Sequence, residues 1–78
     1  MLDQAALEAR ILRMFTGEMN LPVADVETDL IEAGILDSLV FVDLLFRLEK
    51  EFEIAVSIES VDADQLRTVR SIAKFVRA

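Results

Sequence analysis

Apolar positions along the chain fall into helical stretches separated by segments with no helical period. Leu7, Ile11, Met14 and Phe15 recur at the spacing of one helix face, and Asp3 stands where an N-cap belongs. A first helix is therefore predicted over roughly 4–16, with Gly17 as its stop. "GEMNLPVADVETDLIEAGIL" then holds both glycines and the one proline, the signature of a long loop. Its Leu21, Val23, Val26, Leu30 and Ile31 predict that it packs onto the core. A structureless loop of this length is unusual in a compact fold and points to a functional segment.

A second helix is predicted over about 38–52. Phe41, Leu44, Leu45, Leu48 and Phe52 share one arc of it, and Asp43/Arg47 and Arg47/Glu51 are opposite charges four apart. "EIAVSIES" is briefly β-like from Ile54 to Val56. A short third helix is expected near 60–66, starting at Ser60. Thr68 can cap a last helix over about 69–77, with Val69, Ile72, Phe75 and Val76 on its inner face. The expected fold is all-α, a small four-helix bundle of three longer helices and one short one with a long first loop, and residues 1–78 read as a single domain.

Composition narrows what such a bundle can do. With 15 acidic against 8 basic residues, the formal charge is -7. An acidic surface repels nucleic acid and anionic membrane, so basic protein partners are expected instead. The absence of cysteine and histidine removes thiolate catalysis, disulfides, Cys/His metal sites and histidine triads, and fits a cytoplasmic location. "MLDQAALEAR" is not a signal sequence, and the longest apolar run, four residues, is far short of a membrane span. A calcium loop counted from Asp25 fails, because Leu30 and Leu36 stand where glycine and glutamate are required.

Ser38, in "GILDSLVFVDLLF", remains as the candidate. It is not a catalytic nucleophile: no histidine is available, and Lys50 lies about three turns along the second helix at ~1.5 Å per residue. Asp37 or Ser38 caps that helix, and on the serine alone a plain cap is the favoured reading. Either way the hydroxyl sits at a helix N-terminus, where an attached phosphate gains about 0.3–1 kcal/mol. The helical wheel adds a second feature. Leu39 and Phe46 fall opposite the core arc with Val42 beside them, an outward apolar stripe that begins next to Ser38.

These residues resemble a known family. "GILDSLVFVDLLFRLEKEFEI" is similar to the Asp-Ser-Leu segment of acyl carrier proteins, and "LRTVRSIAKFV" is similar to their last helix, so the likeness covers nearly the whole chain. The resemblance implies 4′-phosphopantetheine, transferred from coenzyme A, on Ser38, with Asp37 positioning the transferase's magnesium. It implies that Leu39, Val42 and Phe46 are read by partner enzymes and that Asp43 and Glu49 pair with basic partner surfaces. The protein would be no enzyme but a monomeric carrier. Its partners would be a phosphopantetheinyl transferase, an acyl-loading or adenylating enzyme, and acyltransferases or synthases. Acyl thioesters of fatty acid and lipid biosynthesis are the first expectation for the cargo. An acyl chain could lie near Leu45, Leu48, Val61 and Leu66, although these also read simply as core. Three departures point elsewhere. Val40 and Lys50 replace common acids, and "GILDS" has one residue more before the serine than the usual form, as in D-alanyl carriers. An aminoacyl carrier is the alternative, and a helical interaction module without prosthetic group is the rival from another class.

Overall fold

The computed structural model describes residues 3–57, 59 and 61–77, and among them contains three α-helices and no strand. α1 (Gln4–Arg13) starts where Asp3 accepts a hydrogen bond from the Ala6 N–H at 2.8 Å. Leu7 and Ile11 are buried, and Met14 and Phe15 continue the same face. Gly17 is not the stop. The chain winds on through a π-helical turn, Met14–Glu18, closed by the Met19 N–H on the Met14 carbonyl, and ends at Asn20 in the left-handed region (φ 56°). The wider turn keeps Met14 and Phe15 both facing inward, and asparagine tolerates the left-handed backbone better than most residues.

The crossover that follows is ordered by its own hydrogen bonds. Asp29 Oδ1 accepts the N–H groups of Ile31 and Glu32, and Gly34 adopts φ 74°, which glycine takes without strain. The Leu30 carbonyl then accepts both the Ile35 and Leu36 N–H groups. Leu30 is fully buried, Val23 nearly so, and Leu21, Val26, Ile35 and Leu36 pack against the same core. Ile31, expected among them, is not part of that cluster. The loop is tied to the far end of the chain by Leu30 N–H on the Arg67 carbonyl (2.7 Å), Arg70 N–H on the Val26 carbonyl (3.0 Å) and an Arg67–Asp29 ion pair (3.0 Å).

α2 (Ser38–Phe52) has the predicted bounds and ends at Glu53 with left-handed backbone. Leu44, Leu45 and Leu48 bury its inner arc, while Phe41 and Phe52 are half-buried. Residues 54–56 form no strand; the segment is held instead by the Val56 N–H, which donates to Glu49 Oε2 at 2.8 Å. The expected start of the short helix at Ser60 lies outside the described residues. What is described there is one 3₁₀ turn, Ala63–Leu66, whose capping box is built from Asp62 and Gln65. Asp62 is the better cap for it because a glutamine follows three residues later. α3 (Val69–Arg77) begins with Thr68 and Ser71 exchanging side chain-to-backbone hydrogen bonds. It packs on α1, with Val69, Ile72 and Ala73 buried, while Phe75 and Val76 pack at the margin.

Asp29 gives a pH signature. The Glu32 N–H, and then Arg67, hold its carboxyl below the ordinary value of 3.8. A carboxyl lowered on folding contributes stability that is present above its unfolded pKa and lost as pH falls through the folded one. Asp29→Asn should therefore melt below wild type at neutral pH. The gap should close below about pH 4, which denaturation curves between pH 2 and 7 would read.

Candidate functional site

Ser38 is the first residue of α2 and is exposed. The cap choice left open by the sequence is resolved: Asp37 is the N-cap, its Oδ1 accepting the Val40 N–H at 2.9 Å, and its carbonyl accepts the Phe41 N–H at 2.8 Å. The serine hydroxyl is thereby left without a hydrogen-bond partner among the described residues. Ser71 is the contrast, since its hydroxyl donates to the Thr68 carbonyl. The helix start also leaves the Ser38 and Leu39 N–H groups unpaired among the described residues, and these favour an anion attached to the neighbouring oxygen. An exposed, uncommitted hydroxyl with N–H donors beside it and no side chain over it suits a bulky phosphoester. Nothing about it suits catalysis, since a serine needs a base.

The outward stripe is present. Leu39 is 84% exposed, Val42 51% and Phe46 62%, and these are the large apolar residues found exposed among the described ones. They begin one residue from Ser38 and run down one side of α2. Such a contiguous exposed apolar surface is more than scattered single exposed residues would give, and it begins beside the exposed Ser38.

The acidic residues assigned to that face behave differently. Asp43 is held by Arg47, whose Nε lies 3.2 Å from each carboxylate oxygen, and Arg47 reaches on to Glu18 at 3.4 Å. Glu49 is half-buried and occupied by the Val56 N–H. Glu51 turns from Arg47 to Arg10 at 2.7 Å, and the Arg10 guanidinium also lies 5.0 Å from the Phe52 ring centroid. The structure thus places Asp37, Ser38, Leu39, Val42 and Phe46 exposed on α2 or at its start, pairs the exposed Asp43 with Arg47, and bonds the half-buried Glu49 to the Val56 N–H. The long-range partners Glu18, Val56 and Arg10 have no local sequence signal. The Asp29 turn had one: an aspartate ahead of a short apolar turn closed by glycine.

Residues 9–76 match the family described as "Phosphopantetheine attachment site". The chain belongs to this family. It is 36% identical over 72 residues to a D-alanyl carrier protein of Streptococcus uberis, covering 91% of each chain. It is 33% identical, with the same coverage, to D-alanyl carrier proteins of Streptococcus pyogenes serotypes M5 and M1. The protein is therefore a phosphopantetheine-binding carrier and not an enzyme, with 4′-phosphopantetheine attached covalently. Membership excludes the interaction module without a prosthetic group. A carrier works through partner enzymes such as ligases and transferases, and this one has, among its described residues, no helix long and apolar enough to cross a membrane.

Proposed function

We propose that the chain is a D-alanyl-type carrier, a single cytoplasmic domain acting as a monomer, with its phosphopantetheine on Ser38. The observation that carries the attachment point is the exposed, unpartnered Ser38 hydroxyl beside the Asp37 cap. When bound, the arm supplies the thiol on which a cargo rides as a thioester. The chain's own residues do the rest. Asp37 fixes the helix start and offers its other carboxylate oxygen to the transferase's magnesium. The unpaired Ser38 and Leu39 N–H groups would favour the negative charge of the phosphoester. Leu39, Val42 and Phe46 present the surface that partners grip.

Three observations favour a D-alanyl cargo over the fatty acyl one. Relatives at 33–36% identity are D-alanyl carrier proteins. Gly34, left-handed, starts the longer "GILDS" approach, whose Ile35 and Leu36 are both hydrogen-bonded to Leu30. Leu45, Leu48 and Leu66, the residues an acyl chain would part, are buried in the core with Val61 packed against them. Opening a packed core costs lost contacts that a short, polar aminoacyl group does not incur.

The test is to offer the phosphopantetheinylated protein a D-alanine-adenylating ligase with ATP and D-alanine, and separately a fatty acyl-loading enzyme with its substrates. Loading by D-alanine and not by fatty acids is expected; the reverse would refute the cargo. Phe46→Ala should raise the KM of loading roughly tenfold, as an exposed aromatic anchor does, with the melting temperature nearly unchanged.

A further inference from the structure

The charged groups on the outward face of α2 are not equally available to a partner. Asp43, Glu49 and Glu51 each have a partner within the protein, respectively Arg47, the Val56 N–H and Arg10. Asp37, at the far end, holds the Val40 N–H. Lys50 is exposed, has no ion pair among the described residues, and sets its Nζ 5.9 Å from the Phe46 ring centroid. Lys50 is therefore the cation beside the exposed apolar stripe that no carboxylate engages among the described residues, on a face that stays acidic because Arg47 is shared by Asp43 and Glu18 and the N–H partners of Glu49 and Asp37 are neutral. It borders a shallow groove of about 440 Å³ between the π-helical turn and α2, lined also by Met14, Glu18, Asp43, Arg47 and Glu51, which has room for a partner's side chain.

We infer that Lys50 is a specificity-determining residue: the enzyme that loads the carrier docks on this stripe with an apolar socket for Phe46 and a carboxylate opposite Lys50. The identity of that enzyme, a D-alanine-adenylating ligase, rests on the function proposed above. The net charge of -7 still draws a basic surface at long range. At contact, a docking face that is basic along its whole length would meet Lys50 with like charge, which disfavours it. One residue thus separates the carrier's own enzyme from enzymes shaped for a uniformly acidic helix.

The experiment measures loading kinetics of the phosphopantetheinylated wild type, Lys50→Arg, Lys50→Gln and Lys50→Glu with that ligase, ATP and D-alanine, at low and physiological salt. KM for the carrier should rise in the order Arg, Gln, Glu, by about tenfold at Lys50→Glu, with kcat unchanged and the penalty smaller at higher salt. Loss of fold does not produce that graded order. A KM for Lys50→Glu equal to or below wild type would overturn the inference while leaving the D-alanyl function standing. A wild type that the ligase does not load would overturn both.

Discussion

Ser38→Ala is expected to remain at the mass of the unmodified chain after incubation with a phosphopantetheinyl transferase and coenzyme A, while wild type gains one phosphopantetheinyl group. The structure makes this substitution unusually clean. Had Ser38 been the helix cap, alanine would cost about 1 kcal/mol of stability and confuse loss of a site with loss of a fold. The cap is Asp37, through the Val40 N–H, and the Ser38 hydroxyl bonds to nothing among the described residues. Ser38→Ala should thus unfold within about 0.5 kcal/mol of wild type. A variant that is folded and still gains the group would place the attachment elsewhere. The complementary substitution, Asp37→Ala, should lower stability by about 1 kcal/mol, whereas Ser38→Ala should not.

The other large effect is in the core. Leu48 lies on the inner arc of α2 and is fully buried among Leu44, Leu45 and Leu66. Leu48→Ala should cost about 2–5 kcal/mol, from lost burial and the cavity left behind. A chain of 78 residues has a total stability of the same order, roughly 3–5 kcal/mol. The variant should therefore lose its cooperative unfolding transition at room temperature, read by urea denaturation. Leu48→Met, which conserves volume, should lose less than about 1.5 kcal/mol. Leu39→Ala, one residue past the serine and exposed, should change stability little. A Leu48→Ala protein as stable as Leu39→Ala would mean that α2 does not pack with this face inward.

The contrast between those two leucines explains how much the sequence reveals. The bounds of α2, its buried arc and its exposed stripe follow from spacing and cap chemistry, both local, and they agree with the structure from Ser38 to Phe52. The burial of Leu30 and Val23 was legible because apolar residues in an otherwise polar loop have few other places to go. Gly17 misled because a glycine is read as a stop, whereas the chain here adds a π-helical turn and stops at Asn20. Three β-branched or small residues at 54–56 resembled a strand, but no neighbouring strand exists among the described residues for them to pair with. The charges were the least legible. Arg47 has acids four residues away on each side, and the sequence alone does not say that Glu51 chooses Arg10 while Arg47 chooses Asp43 and Glu18. Nor does it say that Glu49 turns inward to Val56. The site was therefore visible as a serine and an apolar stripe, and its electrostatics only once distant residues were brought together.

The central claim is that the chain carries D-alanine on an arm attached to Ser38. The most direct measurement is the intact mass of the protein taken from the cells that make it, quenched in acid to preserve thioesters, followed by fragmentation of the peptide containing Ser38. The account predicts the chain plus phosphopantetheine plus one alanyl residue, labile to hydroxylamine, with the modification on Ser38. A fatty acyl mass on the arm, or an arm on another residue, would contradict it.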